Sequence, residues 1–332
     1  MMFVPALACV TVFFVGAFVT SYLTPVIAER MTKKGIVGID IHKLNKPEVP
    51  ERCGLSILIG IVASSIMTMM VFPSLFTVVL SFLFVVLLAG LIGFFDDRGV
   101  LGPRLKPLLT AVAGLPIILF GTFDPRPLLP IVGRTRLTII YPLLVPFAIA
   151  VPANAINMMD PLNGVMSGTC SIVSFLLFAC LVFLGRWDAA LICVGLLGCL
   201  LAFYRYNRFP SRVFSGNVGS LTVGAAIGAI VVIGRLEAVG VVALIPHIMN
   251  AFYGLASVGR LFERKEIVCR PIRVLNDGRL TASSDPGAPM TLTRTILADG
   301  PKKEKEIVNI FLLLTAFSSF LAFITMFLTV MK

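Results

Sequence analysis

Ten long apolar runs limit what this chain can become more than any other feature. They lie at about residues 3–28, 55–72, 74–95, 107–121, 138–158, 165–184, 188–204, 218–234, 238–260 and 307–330. A helix needs roughly 20 apolar residues to cross the hydrocarbon of a bilayer. Inside lipid, helices and closed barrels alone satisfy their own backbone hydrogen bonds. The runs therefore predict an all-α integral membrane protein of about ten transmembrane helices, built as a single polytopic domain over residues 1–332. Composition removes the alternatives. Of the residues, 58% are hydrophobic and 14% charged, against about 25% charged in a soluble domain. Disordered, collagen-like and disulfide-stapled chains are excluded on the same ground. The first run lacks a cationic start and is too long for a signal-peptide core, so a retained helix is expected.

The net charge of +11 would suggest nucleic acid in a soluble protein. In a polytopic chain it reads instead as a bias of Lys and Arg toward cytoplasmic loops. With the N-terminus outside, the loops at about 29–54, 96–106, 159–164, 205–217 and 261–306 face the cytoplasm. In and beside them lie 22 of the 28 Lys and Arg residues. The expectation is thus that both termini are extracytoplasmic, in the cell membrane, with no nucleic-acid partner. Seven cysteines form no C-x-x-C pair and read as small core residues.

This layout places nearly every unusual polar residue on one face. The segment G-F-F-D-D-R-G-V-L-G-P-R-L-K, residues 93–106, ends an apolar run in two adjacent carboxylates, Asp96 and Asp97. Adjacent carboxylates repel unless a divalent cation or a base stands beside them. Lys106 begins the next run and can return to the same place. In V-P-A-N-A-I-N-M-M-D-P-L-N-G, residues 151–164, Asn154 and Asn157 share a helix face at a spacing of three. Asp160 and Asn163 follow in the exit loop. Amide and carboxylate oxygens suit Mg²⁺ and phosphate-bearing ligands. A helix end followed by an Asn-Gly turn explains Asn163 without any ligand, but not Asn154 and Asn157. Residues 206–220 bring Arg208, Arg212 and a Gly-Asn-x-Gly turn at the start of a run, where backbone N–H groups can meet phosphate. The last inner loop carries Arg260, Arg264, Lys265, Arg270, Arg273 and Arg279. Such a loop commonly sets topology or touches lipid headgroups. Opposite carboxylates and amides it can hold a diphosphate in arginine forks.

In this order the motifs resemble the polyprenyl-phosphate N-acetylhexosamine-1-phosphate transferase family, from about Gly38 to Gly278. The likeness is strongest to its archaeal and eukaryotic branch, the UDP-GlcNAc:dolichyl-phosphate GlcNAc-1-phosphotransferases. The resemblance implies an Mg²⁺-dependent enzyme, with Mn²⁺ as a substitute, whose site faces the cytoplasm. It would join UDP-GlcNAc to a polyprenyl (dolichyl-type) phosphate, giving a lipid-diphospho-GlcNAc and UMP, the first step of lipid-linked oligosaccharide synthesis for N-glycosylation. By this resemblance Ile39, Ile41, Glu51 and Asn163 lie near the uridine. Asp96 and Asp97 match the family's D-D motif and Lys106 its phosphate-contacting lysine. Asn157 matches a Mg²⁺ ligand, Asn154 joins the substrate site, and Arg270 with Arg273 holds the pyrophosphate. The family's metal-binding Asp of F-x-G-D is replaced here by Asn217, in Phe214-Ser215-Gly216-Asn217, and the histidine of its R-H-R-x-P-R loop has no counterpart. A homodimer is compatible with this plan. Two alternatives stay open: another UDP-N-acetylhexosamine donor, or a secondary transporter with helices broken at Pro116 and Pro246 around His247.

Overall fold

Most of the chain is helix because most of it is apolar on every side, and such a segment in lipid must close its hydrogen bonds within itself. The computed structural model describes residues 3–130, 132–259, 261 and 269–330. Its helices are α1 (Phe3–Lys33), α2 (Leu55–Val71), α3 (Phe76–Asp96), α4 (Leu105–Val112), α5 (Leu115–Leu119), α6 (Ile140–Met158) and α7 (Val165–Phe183). They continue with α8 (Trp187–Asn207), α9 (Gly216–Ile233), α10 (Glu237–Ala243), α11 (Ile245–Val258), α12 (Leu292–Ile296) and α13 (Glu304–Val330). Among the described residues seven helices are long and apolar enough to cross a membrane, and the count is eight if the bent pair α10 and α11 is one span. Large apolar side chains on their outer faces stay exposed, among them Phe14 and Phe18 on α1, Leu143 on α6, and Phe317 and Phe320 on α13. Patches of this kind are rare on soluble monomers. The protein is an integral membrane protein.

Three expected runs take a different form. The fourth, at 107–121, is the two short helices α4 and α5, parted by Ala113-Gly114 just before Pro116. The ninth bends by 66° between α10 and α11, where Pro246 starts a new first turn and cannot donate to the preceding one. The second, α2, has 17 residues. The loops are also more ordered than their composition suggests. Among the described residues there are three two-stranded antiparallel sheets: β1 (Val37–Ile39) with β2 (Glu48–Pro50), β3 (Leu128–Leu129) with β4 (Gly133–Arg134), and β5 (Ile272–Val274) with β6 (Leu280–Ala282). All seven cysteines are free, six of them buried.

Helix α9 is the centre of the fold, with α3 and α6 packed along it. Small residues make this approach close. A Cβ added to Gly224 would lie 2.5 Å from the Ala153 Cα on α6, and one on Gly93 would lie 2.5 Å from the Asn217 carbonyl oxygen on α9. Without a hydrophobic drive between helices in lipid, such contact carries much of their association. Gly224→Ala is therefore expected to destabilise by about 1–3 kcal/mol, as overpacking does. A melting temperature in detergent equal to that of the native protein would contradict this packing.

Candidate active site

The helices alternate in direction, so residues far apart in sequence meet at one end of the bundle. The C-terminal ends of α3 and α6 and the N-terminal ends of α2, α4 and α9 come together there. The polar side chains found on those ends form one connected network. Lys106 Nζ lies 2.6 Å from Asp96 Oδ2 and donates to Asn157 Oδ1 at 2.7 Å. The Asn157 amide donates in turn to Asn217 Oδ1 at 2.6 Å and to Ser220 Oγ at 2.7 Å. One turn further along, Asn154 donates to Thr110 Oγ1 at 2.8 Å. Lys106 and Thr110 are four apart on α4, and Asn157 and Asn154 three apart on α6, so the two helices meet through two polar rungs.

Asp97 points elsewhere. Its Oδ1 accepts the backbone N–H of Asn217 at 2.7 Å and its Oδ2 that of Val218 at 3.1 Å. These are the second and third residues of α9, whose N–H groups have no partner inside the helix. The local N-cap, Ser215, makes no side-chain cap bond and gives its hydroxyl to Asp160 Oδ2. Asp97 thus caps α9 from another helix, and an anion there also meets the positive end of the helix dipole. Burial pushes its carboxyl up to about 6. The two N–H bonds pull it down, Glu51 raises it and Arg52 lowers it.

The other expected residues are placed less centrally. Glu51 is half-buried and acts on Asp97 through its charge. Ile39 is exposed on β1 and Ile41 is half-buried in the turn after it. Asn163, expected beside the uridine, is buried and outside the network. Its Nδ2 donates to Asp40 Oδ2 at 2.9 Å and its backbone N–H to Glu304 Oε1 at 3.1 Å. It ties the first loop to the start of α13. Asp40 also accepts from Lys43. Burial raises the Asp40 carboxyl, but the bonds from Lys43 and Asn163 outweigh it and leave a net lowering. Arg270 and Arg273 are exposed, Arg273 on β5, and neither joins the network. The hairpin that carries Arg273 is held to the segment just before α13, through the bridge of Leu280 to Lys302. Arg208 and Arg212 are exposed. Arg260, Arg264 and Lys265 lie outside the described residues.

Residues 79–235, which contain the whole network, match the sequence model of glycosyl transferase family 4. The match covers a little under half of the chain. Among similar proteins is one of Saccharolobus solfataricus provisionally named UDP-N-acetylglucosamine–dolichyl-phosphate N-acetylglucosaminephosphotransferase. It is 28% identical over 304 residues, 89% of each chain. A Sulfolobus acidocaldarius protein of the same provisional name is 28% identical over 71% of this chain and 74% of its own. The phospho-N-acetylmuramoyl-pentapeptide-transferase of Bacillus licheniformis is 32% identical over 58% of this chain and 63% of its own.

Two residues of this site are not marked by the sequence motifs. Ser220 stands three after Asn217, so helical spacing alone puts it on the same face. Arg52 has no such signal, because its position depends on a loop. Chemically the network offers the Asp96 carboxylate and the Asn157 carboxamide oxygen to one ammonium, with the Asn217 carboxamide oxygen and the Asp97 carboxylate beside them at the start of α9. Among the described residues no three His, Cys, Asp or Glu converge as a metal cage. Mg²⁺ commonly takes one or two protein carboxylates and completes its shell with water and substrate phosphate. An all-oxygen set of this kind fits that cation.

Proposed function

We propose that this enzyme transfers GlcNAc-1-phosphate from UDP-GlcNAc to a polyprenyl phosphate of the dolichyl type. The observation that carries the reading is the network of Asp96, Lys106, Asn157 and Asn217, brought together at one end of the bundle within the family-matched region. The names of the archaeal relatives supply the substrates. An oxygen of the lipid phosphate attacks the β-phosphorus of the nucleotide sugar. The bond from that phosphorus to the bridging oxygen breaks, and UMP leaves with the electron pair. A phosphate is largely ionised at neutral pH, so no base is required. Phosphoryl transfer of this kind asks the protein mainly for positioning and charge neutralisation.

Lys106 would neutralise phosphate charge, and Asp96, Asp97, Asn157 and Asn217 would hold Mg²⁺, or Mn²⁺ in its place. The bound cation would polarise the diphosphate and make UMP a better leaving group. The two short apolar segments α2 and α4–α5, counted with the seven long helices and the bent pair α10 and α11, support about ten spans. The basic residues near 29–54, 96–106 and 205–217, the loops that reach the network, support a cytoplasmic site and extracytoplasmic termini. Another UDP-N-acetylhexosamine is the second reading for the donor, since the histidine of the last loop is absent.

Radiolabelled UDP-GlcNAc should yield an organic-extractable lipid and an equal amount of UMP, only with Mg²⁺ or Mn²⁺ present. Uptake of label into vesicles with no lipid product would favour transport instead. Asn217→Asp keeps the oxygen that accepts from Asn157 and adds a charge. It is expected to retain or raise activity when Mg²⁺ is limiting. A large loss in a Mg²⁺ titration would remove Asn217 from the metal set.

A further inference from the structure

Arg52 stands between β2 and α2 with φ +62°, one of three non-glycine residues at positive φ among the described residues. A side chain is disfavoured in that region, so the surroundings must impose it. They do. Cys53 N–H bonds the Phe214 carbonyl and Gly54 N–H that of Ser215, each at 2.9 Å. A Cβ on Gly216 would fall 2.9 Å from both the Arg52 Cα and Asp97 Oδ2. The Arg52 backbone is thus pressed against the first turn of α9, next to the carboxylate that caps it.

The guanidinium then has little to do inside the protein. Nη2 donates to the Asp97 carbonyl oxygen at 2.6 Å, while Nε is buried with no partner. No carboxylate pairs with it among the described residues, because both Asp97 oxygens already serve α9. An arginine carries five N–H donors. A half-buried cation with most of them unspent is costly unless an anion completes it, and its planar fork matches two phosphate oxygens. We infer that Arg52 is a phosphate-binding residue of this site. This rests on the proposed function for the identity of the phosphate, which belongs either to the nucleotide sugar or to the lipid acceptor.

Arg52→Gly separates function from folding. Glycine adopts φ +62° freely, so the variant relieves the backbone while it removes the guanidinium. Its melting temperature is expected to equal or exceed that of the native protein. One KM should rise about tenfold or more, the loss expected for a charged phosphate contact. A shift in the KM for UDP-GlcNAc assigns Arg52 to the donor, and one in the KM for polyprenyl phosphate to the acceptor. Arg52→Lys, which keeps the charge without the fork, should recover part of the loss. Both KM values within twofold of native for Arg52→Gly would overturn the inference. Should Arg52→Gly not fold, Arg52→Gln takes its place with the same criteria. Thermal stabilisation by UDP and by a short-chain polyprenyl phosphate reads Arg52 without turnover. If the native protein is stabilised by either but makes no product, the proposed reaction fails. Arg52 still stands if the variant loses that stabilisation, and falls if it keeps it.

Discussion

Asp97→Asn is expected to lower kcat by about 10²–10³, the range seen when one preorganised electrostatic group is removed from a site. It should cost only about 1 kcal/mol of stability, the usual loss of a helix cap. The difference arises because Asp97 has two tasks. Its oxygens hold the N–H groups of Asn217 and Val218, and its charge faces the end of α9 where phosphate and metal would gather. Asparagine keeps one acceptor oxygen but turns an NH₂ group toward the second N–H and loses the charge. Titration gives a second signature. Burial raises this carboxyl from 3.8 to about 6, so between those values the folded protein holds a proton that the unfolded chain has released. The resulting stabilisation is complete below about pH 4 and is lost as pH rises through about 6. Activity, which needs the ionised form, should rise over that same window. Melting temperatures of metal-free protein and kcat, each followed from about pH 4 to 7, should therefore move in opposite directions, and both trends should flatten in Asp97→Asn. A variant within tenfold of native kcat would leave Asp97 a helix cap and nothing more.

How much of the fold and the site is legible in the sequence depends on whether a residue's role is set by its own helix or by a neighbour. The spacing of Asn154 and Asn157 fixes a common face, and both do meet α4. Pro246 marks the break between α10 and α11. Adjacent Asp96 and Asp97 read as one paired motif, yet successive residues at a helix end differ by about 100° in direction. One goes to Lys106 and the other to α9. Nothing in residues 93–106 could reveal that Asp97 caps a helix through a residue 120 positions later. Asn163 stays outside the network for a related reason. A turn residue followed by glycine is free to face either way, and here Asp40 and Glu304 take its side-chain and backbone donors. The short hairpins are illegible because strands of two or three residues show no period. Arg52 is illegible because its conformation is imposed by Phe214 and Ser215, whose positions belong to another loop.

Lys106→Met is expected to remove activity by a similar factor of about 10²–10³, and here stability and catalysis can be pulled apart. Asp96 and Lys106 are both largely withdrawn from water, their side chains 8% and 17% exposed. Breaking a buried pair on one side costs about 3–5 kcal/mol in a dry interior, and less at this solvent-touching end. Methionine fills the aliphatic part of the lysine but leaves the Asp96 carboxylate unpaired and Asn157 Oδ1 without its donor. The single variant should therefore melt well below native. Adding Asp96→Asn removes the stranded charge, so the double variant should regain much of the lost stability, as replaced buried pairs commonly do. It should not regain activity, because the ammonium that neutralises phosphate charge is still missing and the Asp96 carboxylate is now gone as well. The two readouts must be taken on the same samples: melting in detergent, and UMP release at saturating UDP-GlcNAc and lipid phosphate. Recovery of both together would make Lys106 a structural counter-ion to Asp96. Recovery of stability alone shows that the lost activity is not lost folding, and Asp96→Asn by itself, which keeps the ammonium, then separates the share of that loss owed to the Asp96 carboxylate from the share owed to Lys106.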